Sequence, residues 1–219
     1  MSKHLDREID GLKRRVLALS AIVEENVSKA VTAVTERDRD LAASVMMSDG
    51  QVDEIEVEVE EECLKILALH QPVALDLRFI VAVLKLNNDL ERIGDLAVNI
   101  AEQVSALCKK DVETLPIDVS PIAGRAQAML RDVLDALVNT DPEAARRVCA
   151  SDDAIDEMHR AVYAKVERQV QKDPVNASVL IHLLTVSRCL ERIADLATNI
   201  AEDIIYITEG DIVRHGHHS

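Results

Sequence analysis

Leu90-Glu91-Arg92-Ile93-Gly94-Asp95-Leu96-Ala97-Val98-Asn99-Ile100-Ala101-Glu102 returns one hundred positions later as Leu190-Glu191-Arg192-Ile193-Ala194-Asp195-Leu196-Ala197-Thr198-Asn199-Ile200-Ala201-Glu202. The copies differ only at Gly94/Ala194 and Val98/Thr198. Self-similarity at a fixed period means that one architectural unit is used twice. Within each copy the apolar residues recur every three or four positions, the spacing of one side of a helix.

The repeat extends well beyond this segment. At a shift of 103, Ala33, Asp38, Ala42, Val45, Ser48, Asp49, Asp53 and Glu54 recur as Ala136, Asp141, Ala145, Val148, Ser151, Asp152, Asp156 and Glu157. Pro72-Val73 meets Pro174-Val175 at a shift of 102. Two blocks keep most of their identity, 48–54 at four of seven positions and 90–102 at eleven of thirteen, and elsewhere mainly the apolar pattern survives. Duplication therefore covers nearly the whole chain. It implies a first repeat over 1–112, a second over 118–210, and a His-rich tail over 211–219.

Composition narrows the fold class. Gly and Pro are few, and Phe79, Tyr163 and Tyr206 are the only aromatics, so Leu, Val, Ile and Ala must fill the core. That mixture suits packed helices better than sheets. The net charge of −15 argues against direct nucleic-acid binding, because phosphates would be repelled. It favours cations, basic partners or solubility. Cys63, Cys108, Cys149 and Cys189 are isolated and read as reduced, mostly buried small hydrophobes of a cytosolic protein. No secretory signal opens the chain, and its apolar runs are too short to span a bilayer.

Periodicity and breakers predict six long helices, over about residues 5–36, 38–69, 73–109, 121–139, 142–171 and 174–206. Thr140-Asp141-Pro142 is a start signal, with Pro at the first helical position and Glu143 in the first turn. Long helices joined by short connections pack as antiparallel neighbours. The expectation is an all-α protein of two tandem, pseudo-symmetric three-helix bundles.

On a helix turning about 100° per residue, Glu91, Asp95, Asn99 and Glu102 fall within about 80° of arc, nearly opposite Leu90, Ile93, Ala97 and Ile100. Glu191, Asp195, Asn199 and Glu202 repeat the stripe. One reading is a solvated face. Against it, these acids stayed fixed while core residues elsewhere in the repeat changed, although like charges at i,i+4 cost roughly 0.2–0.5 kcal/mol per pair. A bound cation would offset that cost. Asp49 and Asp53 on the second helix, matched by Asp152 and Asp156 on the fifth, would face the stripes if those helices are neighbours. Glu56 and Glu60 extend the first line, where the second carries His159 and Tyr163. Oxygen ligands of this kind suit magnesium, manganese, calcium or iron better than a thiolate zinc site.

Catalytic readings find little support. A ferritin-like di-iron enzyme needs paired Glu-x-x-His motifs, whereas here the one comparable pair, Asp156-x-x-His159, has no match in the first half. There is no Gly-rich phosphate loop, no Gly-x-Ser-x-Gly and no His-Glu-x-x-His. His70 and His182 read as packing or surface histidines.

The doubled Glu-Arg-Ile-Gly/Ala-Asp-x-Ala-x-Asn-Ile-Ala-Glu resembles the PhoU family, and Asp76-Leu77-Arg78 after Gln71-Pro72-Val73 is similar to that family's sequence before its first motif. The resemblance implies multinuclear metal sites at the Glu-x-x-x-Asp motifs. The implied ligands are Glu91, Asp95 and Asn99, and Glu191, Asp195 and Asn199, joined by Asp53 and Asp156. The ions would be divalent or trivalent: iron, zinc, manganese or magnesium. It further implies a cytoplasmic homodimer that is not an enzyme and that negatively regulates phosphate uptake. The expected partners are the phosphate ABC transporter, through its ATPase subunit, and the phosphate-sensing histidine kinase, with no membrane insertion. The second half has Ser178-Val179-Leu180 where the first has Asp76-Leu77-Arg78, so any role of that acid–base pair is confined to the first half. The competing classes are a metal buffer and a carboxylate-bridged metalloenzyme.

Overall fold

In the computed structural model, residues 3–110 and 114–210 are described, so the tail at 211–219 and the expected repeat end at 112 lie outside the described residues. The described residues form α1 (Lys3–Glu36), α2 (Arg39–His70), α3 (Ala74–Leu107), α4 (Ser120–Asn139), α5 (Pro142–Cys149), α6 (Asp152–Lys172) and α7 (Ala177–Glu209), with a 3₁₀ turn at Pro174–Asn176. No strand occurs among them. The all-α class expected from composition is what forms.

Two matching signals set the second helix of each half. Arg37 and Thr140 both turn into the left-handed region, at φ 55° and 52°. The next residue, Asp38 or Asp141, then caps the following helix. Asp38 accepts from Asp40 N and Leu41 N at 2.9 Å, and Asp141 from Glu143 N and Ala144 N at 3.0 Å. Each cap satisfies backbone N–H groups that the first turn of a helix cannot pair internally.

The fifth helix departs from expectation. Instead of one rod over 142–171, the chain breaks at Ala150-Ser151 into α5 and α6. Ser151 N tightens onto Val148 O at 2.9 Å, and Ser151 Oγ donates to Arg147 O at 3.0 Å. Such local bonds compete with helix continuation. Asp152 and Asp153 then fall in the first turn of α6, where the helix dipole favours negative charge. The first half has no such break, and α2 runs through the equivalent Ser48-Asp49.

Helices α1, α2 and α3 pack on one another, as do α4, α5, α6 and α7. Across the halves α3 packs against α7. These two run antiparallel: Lys85 Nζ lies 3.6 Å from Asp203 toward one end, and His182 Nδ1 lies 2.8 Å from Gln103 Oε1 toward the other. The buried side chains of both halves form one continuous cluster. The repeat is also a repeat of burial. From 83 to 101 and from 183 to 201, every paired position is alike in being buried, half-buried or exposed.

Gly94 marks one difference between the halves. A Cβ there would meet Val52 Cγ1 at 3.2 Å, and Val52 is 1% exposed, so α2 approaches α3 more closely than a larger residue allows. The second half tolerates Ala194 at the same register. Gly94→Val is expected to cost about 1–3 kcal/mol by overpacking, since β-branched Val52 has little rotamer freedom to yield. Chemical denaturation of the two proteins measures it.

Candidate metal centre

Each stripe starts half-buried at its Glu, beside the neighbouring helix of its own half, and runs outward to an exposed Asp and Asn. In the second half, Asp156 on α6 meets Glu191 and Asp195 on α7, with one carboxylate oxygen from each within 4.8 Å of the others. Asp156 and Glu191 are half-buried, whereas Asp195 keeps an exposed edge. Asp152 extends the group one turn toward the start of α6 and is held by Thr198 Oγ1, which donates to Asp152 Oδ1 at 3.3 Å. No other triad of His, Cys, Asp or Glu among the described residues converges this closely.

The first-half acids gather in the α2–α3 seam without closing to that spacing. Glu91 is half-buried, and burial raises its carboxyl pKa, followed by the charges of Asp95, Asp53, Glu56 and Asp49. Asp49 is raised by burial and then by Asp53 and Asp95. Glu56 is raised by burial and then by Glu60 and Asp53. These carboxylates repel one another from facing helices.

The same physics acts more strongly in the second half. Partial burial, then Glu191, Asp152 and Asp156, push Asp195 up to about 6, only partly opposed by Arg192. Although Asp195 has exposed surface, it sits beside three carboxylates, and partial burial leads the shift. Asp152 is also raised by burial, with the Thr198 bond working against the rise.

Raised carboxyl pKa values have a definite sign in stability. The folded chain binds more protons than the unfolded chain between about pH 4, the ordinary carboxylate range, and about 6 for Asp195. Stability of metal-free protein is therefore greatest at the acid end of that window and is lost as pH rises through it. Melting temperature in the presence of a chelator is expected to rise from pH 7.5 to pH 5.5.

The asparagines of the stripes stand apart from the triads. Asn99 Nδ2 donates to Asp95 O at 3.0 Å, on the exposed side of α3. Asn199 lines the groove between α3 and α7 with Lys85, Asn88, Asp89, Glu202 and Asp203. Of the expected ligands, Asp156, Glu191 and Asp195 are thus brought together. Asp53, Glu91 and Asp95 share the α2–α3 seam, and neither asparagine is drawn into these groups.

Sequence reasoning missed the residues one turn before each Glu. Asn87, 1% exposed, donates through Nδ2 to Glu56 O at 2.9 Å and to Glu56 Oε1 at 3.0 Å. Ser187, fully buried, bonds through Oγ to His159 Nδ1 at 2.9 Å. The signal was available, because i−4 from Glu91 and Glu191 is the same helix face.

Fold and site together define a class: a duplicated helical bundle with a carboxylate cluster between neighbouring helices of each half. The chain belongs to the PhoU family. The PhoU domain model matches twice, over residues 16–104 and 119–204. Among similar proteins is the phosphate-specific transport system accessory protein PhoU homolog of Pseudomonas putida, 36% identical over 98% of this chain and 84% of that protein. The Pseudomonas aeruginosa homolog is 34% identical over 98% of this chain and 89% of its own length. The crystal structure of PhoU from Pseudomonas aeruginosa superimposes with a TM-score of 0.91 at 34% identity, covering 94% of this chain and 99% of that one. The phosphate transport system regulatory protein PhoU from Streptococcus pneumoniae gives 0.88 at 28% identity over 96% and 100%. These names describe accessory and regulatory proteins, not enzymes. No described helix is long and apolar enough to cross a membrane.

Proposed function

We propose that the protein is a cytoplasmic regulatory accessory protein of a phosphate-specific transport system, holding phosphate uptake and the phosphate-starvation response off when phosphate is plentiful. The observation that carries this reading is the family match in both halves over a duplicated pair of carboxylate seams. Its targets would be the ATPase subunit of the transporter and the phosphate-sensing histidine kinase, met by a homodimer. It would transmit a state rather than turn over a substrate.

Metal ions belong to the same reading. Asp156, Glu191 and Asp195 would hold an ion in the second half, and Asp53, Glu91 and Asp95 in the first. Asn99 and Asn199 stand at the margins as further oxygen donors. An all-oxygen set of this charge fits divalent or trivalent cations such as magnesium, manganese or iron, with zinc less well matched. The bound charge would cancel the repulsion between facing helices and so fix their separation. Free phosphate would be repelled by a chain of net charge −15, which makes direct phosphate sensing a poor alternative.

Deletion of the gene tests the regulatory claim. Phosphate-starvation genes are expected to stay switched on in phosphate-rich medium, and reintroducing the chain should silence them. Normal phosphate control in the deletion strain, with any second copy also removed, would reject it. Altered metal tolerance alone would point to a buffering role instead.

A further inference from the structure

We infer that Asn87 supplies a neutral oxygen ligand to the first-half cation site, making that site larger and chemically different from its counterpart in the second half. This inference rests on the reading of the α2–α3 seam as a cation site. Asn87 lies one helical turn before Glu91 on α3, and Glu91 one turn before Asp95, so the three share the face turned toward α2. The side chain is almost wholly buried. Its Nδ2 donates to two oxygens of Glu56, the backbone carbonyl and the carboxylate Oε1. Both partners are acceptors, which fixes the amide orientation: the nitrogen must face Glu56, and Oδ1 must face elsewhere.

That Oδ1 is buried with no hydrogen-bond partner. A carbonyl oxygen shut away from water without a donor costs about 1–3 kcal/mol, so buried polar atoms of this kind are rare and call for a partner. One turn along α3, Glu91 feels the charges of Asp95, Asp53, Glu56 and Asp49, all acceptors when ionised. None can satisfy a carbonyl oxygen in that state. A cation can satisfy all of them at once. Amide oxygens are regular ligands of hard cations, which take six or more oxygens where the site provides them.

The second half closes this position. There Ser187 stands in place of Asn87 and is already bonded to His159 Nδ1, so no orphaned oxygen remains. The first-half site accordingly offers one more neutral oxygen and suits a hard cation with a high coordination number.

Terbium(III) bound to the full chain tests the assignment, because its luminescence lifetimes in H2O and D2O count the waters left on the ion. Asp156→Asn with Asp195→Asn silences the second-half cluster in every sample. In that background Asn87→Leu is expected to weaken terbium binding about tenfold and to add about one bound water, since the ion refills its coordination shell. Asn87→Asp should keep the water count and bind at least as tightly. Unchanged affinity and water count in Asn87→Leu would overturn the inference, and so would weaker binding at an unchanged count, which would leave Asn87 merely positioning Glu56. Glu91→Gln with Asp95→Asn is the separate control. If terbium binds as well without those carboxylates, the seam is not the cation site, and the metal reading fails whatever Asn87 does.

Discussion

Adding a divalent cation to chelator-treated protein is expected to raise its melting temperature by roughly 5–10 °C. A ligand that binds only the folded state stabilises it by RT ln(1 + [L]/Kd), about 2.7 kcal/mol at a hundredfold excess over Kd. For a chain of about 200 residues each kcal/mol moves the midpoint by roughly 2–4 °C. The sign in the absence of metal is the stricter test. Asp195 is held up to about 6 by burial and by Glu191, Asp152 and Asp156, so its ionised form is strained in the folded state. Asp195→Asn should therefore melt no lower than wild type in chelator and clearly lower in saturating cation. Glu91→Ala with Asp95→Ala should remove about half of the bound metal, with the His-rich tail deleted from both proteins. A double variant that binds as much metal as wild type would refute the ligand assignment. A merely solvated acidic face predicts neither the crossover nor the loss.

Much of this fold is legible in the sequence because the core and the repeat carry the same information. Leu90, Ile93, Ala97 and Ile100 recur with helical spacing, and all are buried, as are Leu190, Ile193, Ala197 and Ile200. Asp38 and Asp141 advertise the helix starts that they cap. The break at Ala150-Ser151 is less visible, since Ser48-Asp49 at the matching place leaves α2 intact. Local hydrogen bonds accompany the break, but Ser48 Oγ also donates to Val45 O at 2.8 Å without interrupting α2, so neither periodicity nor that bonding marks the difference.

The site was legible to the level of which residue types face one seam. It was not legible to the level of convergence. Asp53, Glu91 and Asp95 match Asp156, Glu191 and Asp195 in sequence, yet only the second set draws within 4.8 Å. Close approach of the helices does not by itself decide that, since Gly94 already lets α2 pack tightly on α3 at Val52 in the half whose carboxylates stay apart. Asn87 and Ser187 differ between the copies, so the identity that marks the stripe does not extend to them.

Ile193→Ala is expected to destabilise the whole chain by about 2–5 kcal/mol, and to do so in a single unfolding transition. Ile193 is fully buried, as is its counterpart Ile93. Removing such a side chain loses its transfer free energy and leaves a cavity that surrounding helices fill only partly. Set against a typical domain stability of about 5–15 kcal/mol, this is a large fraction. The cooperativity is the informative part. The halves are duplicates in sequence, and independent units would give a biphasic curve with the first-half phase unmoved by a change in α7. But the buried side chains of both halves form one cluster, and α3 packs along α7 through the middle of it. Exposing that seam would strip apolar surface from the half that remained folded. Ile93→Ala and Ile193→Ala should therefore shift the same urea midpoint, whichever half carries the substitution. Two separable transitions would instead establish 1–112 and 118–210 as independent folding units. Regulation would then rest on motion between the halves rather than on a single rigid frame holding both carboxylate seams.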